Sequence, residues 1–296
     1  MSPYQIGIAL LVQVLIITGS CTKPTVEIHG HRGCRGYWPE NSVHGMIEAV
    51  KMGVDVLEMD VVISKDLQVV LSHEPFFHYE ICLDPNGNRI YESTQEAYNI
   101  YEFTYAQIQN TRCGTFPHPR FPLQRQMEYY KPTLSQVIDT VEKLVKKLHK
   151  SIQYNIEIKA RDEWEGIFHP DHKAFSDLVA GVIYRHGIVE RSVIQSFHLP
   201  TLQYLHLAHP HLRLALLVDE DENMTEKYSQ LGLTPYILSP HYSLVTVSSI
   251  KFFKSRGVKI VPWTVNDIET AAQLIKSGVH GIITDYPDSI LRIAGR

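Results

Sequence analysis

The sequence predicts an α/β fold, a TIM (β/α)8 barrel with a small insertion after the hairpin of its second strand. Three observations carry that expectation. Short apolar runs alternate with helical patterns from Thr25 to the end, which argues for a parallel sheet. One pair of strands is joined by a link too short for a parallel crossover. The chain has 296 residues, and about 250 is typical of one barrel.

The strands are expected at Val26–His29, Val54–Val62, Gln68–Ser72, Gln153–Ile158, Ser192–Ser196, Arg213–Val218, Tyr236–Ser239, Val258–Thr264 and Gly281–Thr284. Helical patterns fall at Ser42–Met52, Thr133–His149, Lys173–His186, Leu199–Ala208, Thr246–Arg256 and Asp267–Ser277. That is one strand too many for the barrel. Val54–Val62 and Gln68–Ser72 are separated only by Ser64-Lys65-Asp66-Leu67, whereas a parallel crossover needs about a dozen residues. These two strands therefore form an antiparallel hairpin, and the return strand brings His73 to the level of Met59 and Asp60. Residues 74–131 lack clear periodicity and are rich in tyrosine, as expected of a functional insertion. Within it, Phe103–Gln109 could form a short helix.

Basic and acidic residues number 28 and 32, a formal net charge of −4. Nucleic acid is thereby disfavoured as a partner, since a phosphate backbone calls for a basic face. Cys21, Cys34, Cys82 and Cys113 contain no Cys-x-x-Cys pair. No structural zinc site and no disulfide framework are expected. An apolar run from Ile6 to Ile17 precedes Thr18-Gly19-Ser20-Cys21. Its length suits a signal-peptide core, and small residues before a cysteine resemble a bacterial lipoprotein cleavage site. Residues 1–24 are read as a signal or anchor segment and 25–296 as the folded domain. The expected location is periplasmic or at the cell surface, with membrane attachment through the N-terminal segment or a lipidated Cys21.

The chemistry-bearing residues gather at strand ends, where barrels build their active face. His31-Arg32-Gly33 follows the first strand. Arg32 offers a fork of donors for phosphate oxygens, and Gly33 permits a tight turn. Glu40 could pair with Arg32, while Asn41 and Ser42 read as helix caps. Glu58 and Asp60 are two apart in an apolar strand, so both point the same way. Buried together without a partner they would be costly. A divalent cation at the barrel mouth resolves the conflict, and oxygen ligands favour Mg²⁺ or Ca²⁺. Asn155, Glu157 and Lys159 alternate with Ile156 and Ile158. Glu157 can complete a three-carboxylate site and Lys159 can bind phosphate, although a simple Glu157–Lys159 salt bridge is the alternative. His31 and His73 could divide proton transfer, one activating a nucleophile and the other protonating a leaving oxygen. Phe197 and Trp263 could line a substrate wall, with His241 a weaker candidate. Asp285 reads as a brace for the barrel top. His169, His172, His206, His209 and His211 read as solvated.

The ordered set His31-Arg32-Gly33, Pro39-Glu40-Asn41, Glu58-x-Asp60, His73, Glu157-Ile158-Lys159, Trp263-Thr264-Val265-Asn266 and Thr284-Asp285 resembles the glycerophosphodiester phosphodiesterase family. The resemblance covers nearly all of residues 25–296. It implies a TIM barrel, metal ligands at Glu58, Asp60 and Glu157, acid–base roles for His31 and His73, and phosphate contacts from Arg32 and Lys159. It also implies hydrolysis of glycerophosphodiesters to glycerol 3-phosphate and an alcohol. Glu74 stands where the family usually has Asp, and Ser42 where Thr is commoner. The competing expectations are a phospholipase C/D-like lipid phosphodiesterase and a non-catalytic binding protein on the same barrel.

Overall fold

A computed structural model describes residues 26–296. The expected N-terminal segment, including Cys21, lies outside the described residues. Eight strands run parallel in the order β8-β7-β6-β5-β4-β2-β1-β9. They are β1 (Glu27–Gly30), β2 (Val56–Ile63), β4 (Gln153–Ile158), β5 (Ser192–Ser196), β6 (Arg213–Val218), β7 (Ile237–Pro240), β8 (Lys259–Ile260) and β9 (Gly281–Thr284). The return strand β3 (Val69–Leu71) lies off this order and pairs with β2. Backbone bonds from His280 N to Ile260 O (2.8 Å) and Ile283 N to Pro262 O (3.0 Å) join the two ends of the sheet. The result is a TIM barrel. The strand expected at Val258–Thr264 shrinks to Lys259–Ile260. Pro262 carries no N–H, so the ladder stops regular pairing there.

Helices α1 (Val43–Met52), α3 (Leu134–Lys147), α4 (His172–Arg185), α5 (Leu199–Ala208), α7 (Val247–Lys254) and α8 (Ile268–Ser277) fall where the periodicity placed them. Three more form that the pattern did not list as helices or only hinted at: α2 (Tyr105–Ile108), α6 (Met224–Leu231) and α9 (Pro287–Ile293). In α3 the capping box of Thr133 and Gln136 fixes the start. Its buried Leu134, Val137, Ile138, Val141 and Val145 form one stripe against the barrel. Ser42 caps α1 by accepting from Gly45 N, and Gly53 ends it in the left-handed region at φ 99°.

The hairpin forms as the link length requires. Val61, Val62 and Ile63 pair antiparallel with Leu71, Val70 and Val69. Because side chains alternate, its two faces serve two cores. Val61, Ile63, Val69 and Leu71 join the main barrel core. Val62 and Val70 join a second cluster with Phe77, Ile81, Ile90, Ile100 and Ile108. That second cluster holds residues 74–131 against the outside of the hairpin. It also contains a disulfide between Cys82 and Cys113, which corrects the expectation of no disulfide. The two cysteines lie 31 positions apart, in irregular chain where no periodicity signals their approach. Among the described residues Cys34 is free, and it is buried.

Candidate active site

The acidic residues converge first. One carboxylate oxygen from each of Glu58, Asp60 and Glu157 lies within 4.8 Å of the other two. Glu58 and Asp60 share the inward face of β2, and the β2–β4 register sets Asp60 opposite Glu157. All three are buried. Burial, then the neighbouring carboxylates Asp60 and Glu157, pushes Glu58 well above the usual carboxylate range. Burial likewise raises Glu157 to about 7, against the pull of Lys159. Burial opposes the charge on Asp60 too, but Arg32 and Lys159 outweigh it and hold Asp60 low. Asp60 Oδ1 is buried and, among the described residues, has no hydrogen-bond partner. An orphaned oxygen beside two crowded carboxylates is the donor set a divalent cation fits.

Cations flank this cluster. Arg32 adopts φ 51°, uncommon for a side-chain-bearing residue. Its backbone N–H donates to Glu58 Oε2 at 2.8 Å. Its guanidinium meets Glu40 Oε1 at 3.0 Å and Asp60 Oδ2 at 3.1 Å, so the Glu40–Arg32 pairing forms as expected. The turn depends on Gly33 at φ 92°, where an added Cβ would come within 2.8 Å of the Gly45 backbone. Lys159 Nζ lies 2.8 Å from Glu157 Oε1 and 3.7 Å from Asp60 Oδ1. The salt bridge weighed as an alternative is therefore present, within the cluster itself.

Both imidazoles are held through Nδ1. His31 Nδ1 sits 2.7 Å from Asp285 Oδ1, and its Nε2 is 4.0 Å from Glu58 Oε2. Asp285 also accepts from Arg35 (2.9 and 3.1 Å) and from Asn266 Nδ2 (2.7 Å). His73 Nδ1 sits 2.6 Å from Glu74 Oε1. The hairpin delivers His73 as the register requires, since Ser72 N donates to Asp60 O at 3.1 Å. Burial, followed by Arg35, lowers His31 to about 4. Burial, with Arg32 and Lys159 next, lowers His73 as well.

Sequence reasoning missed several partners. Asn41 is not a cap but a bridge, donating Nδ2 to Asp60 Oδ2 (2.9 Å) while its Oδ1 accepts from Asp60 N (3.2 Å). Gln195 donates to Glu58 Oε1 at 2.8 Å and accepts from Asn155 at 2.9 Å. Inward alternation of Val193 and Gln195 in β5 is the signal that could have found it. Arg35 left no pattern, since its partner Asp285 lies 250 positions away. Asp285 braces the barrel top as expected, and it does so through His31. His169 is buried, 1% exposed, rather than solvated, because its ring bonds Pro170 O and Arg161 N. His172 and His209 are half-buried and paired with Glu165 and Asp177; His206 and His211 are exposed.

A cavity of about 680 Å³ opens over these groups, walled by His31, His73, Lys159, Phe197 and Trp263 among others. Phe197 and Trp263 meet edge to face at 5.5 Å. His241 meets Trp263 edge to face at 5.5 Å and is not among the residues that line the cavity.

An acidic cluster, two cations and two tethered imidazoles at the carboxyl mouth of a parallel barrel define a class, the phosphodiester-cleaving TIM barrels. The glycerophosphoryl diester phosphodiesterase family model matches residues 31–289, and the chain belongs to that family. YhdW of Bacillus subtilis (strain 168) is 28% identical over 270 residues, spanning 90% of this chain and 96% of YhdW. A crystal structure from Silicibacter pomeroyi DSS-3 superposes with a TM-score of 0.80 at 24% identity, covering 92% of this chain and 94% of that one. An Oleispira antarctica phosphodiesterase in complex with the product sn-glycerol-3-phosphate superposes with a TM-score of 0.72 at 20% identity, covering 91% and 97%. The likeness of these two structures is one of fold.

Proposed function

We propose that this chain hydrolyses glycerophosphodiesters, such as glycerophosphocholine and glycerophosphoethanolamine, to glycerol 3-phosphate and an alcohol. The observation that carries the reading is the convergence of three buried carboxylates between two imidazoles, each tethered at Nδ1. Family membership and the product bound by the Oleispira antarctica phosphodiesterase support the substrate class.

Glu58, Asp60 and Glu157 would hold one divalent cation, Mg²⁺ or Ca²⁺, for which all-oxygen ligation is suited. When bound, such an ion supplies positive charge against the phosphate oxygens in the transition state. Arg32 and Lys159 add fixed charge on the same side. Phe197 and Trp263 wall the cavity and exclude water from one flank. With Nδ1 engaged by a carboxylate, each imidazole presents Nε2 to the substrate. One Nε2 takes a proton from the attacking oxygen, which belongs to water or to the adjacent glycerol hydroxyl. The other Nε2 gives a proton to the departing alkoxide. Burial, and after it the nearby cations, lowers both rings in the free protein, and an entering phosphate anion offsets the part due to the cations.

The test is alcohol release across a panel of glycerophosphodiesters, with and without chelator, for wild type, His31→Ala and His73→Ala. Activity on glycerophosphocholine that chelator and both substitutions abolish is expected. Full activity in either histidine variant rejects the assignment. We further propose export to the periplasm or cell surface, with the apolar N-terminal run as export signal or membrane anchor and Cys21 as a lipidation site; the Cys82–Cys113 disulfide supports this, since disulfides persist in oxidising compartments.

A further inference from the structure

Lys131 is a buried lysine that the mechanism does not use. It is 3% exposed. Among the described residues its ammonium makes no ion pair, and its hydrogen bond runs to Ser72 Oγ at 2.8 Å. Ser72 is fully buried and passes the contact on, donating Oγ to the Glu74 carbonyl at 2.5 Å. Glu74 in turn seats His73 through Nδ1. The bridge thus spans the two ends of the 74–131 segment. Leu71 N also bonds Pro132 O at 2.8 Å, and Val70 bridges Thr133, so the returning chain lies directly against the turn.

We infer that Lys131 is a positioning residue for this reaction, acting through Ser72 and the Glu74 carbonyl to fix the turn that aims His73. The inference rests on the phosphodiesterase reading above. Three physical arguments support it. A buried ammonium without a counterion is unfavourable for folding, so packing alone does not account for it. Burial lowers Lys131 to about 8, with Glu40 and Glu74 pulling the other way. Strained or costly groups that persist beside reactive residues are characteristically tied to function. Without Lys131 the Ser72 hydroxyl that donates to the Glu74 carbonyl loses its anchor, and the carboxylate that holds Nδ1 is free to swing.

The test uses the full chain with Lys131→Met, Ser72→Ala and the double variant, assayed on glycerophosphocholine with thermal unfolding measured alongside. In each variant kcat is expected to fall at least about tenfold with KM within about threefold of wild type, as for loss of an aligned acid–base group. The double variant should be no slower than the slower single one. The midpoint of Lys131→Met should be unchanged or higher, which a merely structural role would not produce. Wild-type kcat in Lys131→Met, multiplying effects in the double variant, or loss of activity only in step with unfolding overturns the inference. A second readout does not depend on turnover. The His73 Nδ1 proton, assigned by its absence in His73→Ala, should resonate at low field in wild type and broaden or vanish in Lys131→Met. An unchanged resonance overturns the inference, while an inactive wild type overturns the phosphodiesterase reading instead.

Discussion

Asp285 accepts from His31, Arg35 and Asn266 at once, whereas Glu74 holds His73 and, among the described residues, forms no ion pair with an arginine. Asp285→Asn would remove the charge that both His31 and Arg35 face. The expected outcome in steady-state kinetics is a loss of about 10²-fold in kcat/KM, within the range acid–base alignment contributes. Lys131 gives a stability prediction of definite sign. Its folded pKa, about 8, lies below its ordinary 10.5. Between these values the unfolded chain binds more protons, so stability rises with pH. Burial, joined by Arg32, outweighs Glu40, Glu74 and Asp60, which pull the other way. Denaturant unfolding of wild type should gain on the order of 3 kcal/mol from pH 8 to 10.5 relative to Lys131→Met; parallel curves for the two proteins reject the assignment. Legibility at this scale followed distance. Glu58 and Asp60 could be read together because a strand puts them on one face. Arg35 and Asp285 could not, because only ring closure of the barrel brings the first strand against the last.

The β2–β3 hairpin was legible from the length of one link, and its register carried His73 to the acidic cluster without any fold knowledge beyond strand pairing. The 74–131 segment was legible only as an absence of pattern. Its cluster of Phe77, Ile81, Ile90, Ile100 and Ile108 is assembled from irregular chain, where no period of two or 3.6 announces a core. The same irregularity hid the Cys82–Cys113 pairing. Helices α6 and α9, eight and seven residues long, left no such signal, although α7, also eight residues long, did. Closing a loop of 31 positions restricts the unfolded chain by roughly 2–4 kcal/mol. Replacing both cysteines with serine should therefore expose this segment to limited proteolysis before the barrel, with cleavage sites mapped by mass spectrometry falling between residues 74 and 131. Cleavage scattered evenly over the helices would show that the segment does not depend on the disulfide.

At the scale of the molecule, the barrel spends part of its stability on three crowded carboxylates at its mouth. A bound divalent cation should return it. At about a hundred times its Kd, such an ion adds about 2.7 kcal/mol and raises the midpoint of unfolding by roughly 5–10 °C. Glu157→Gln should lose most of that gain in calorimetry with and without chelator. Equal shifts in both proteins would place the ion elsewhere. The direction of β1 has a bearing on orientation as well. Glu27 begins that strand beside Lys259, at the end of the barrel away from His31, so the polypeptide enters through the floor. Under the proposed N-terminal attachment, the mooring would join the barrel at this end, opposite the opening. Hung that way, the barrel would offer its mouth to diesters in the surrounding fluid ahead of lipids in the sheet that carries it.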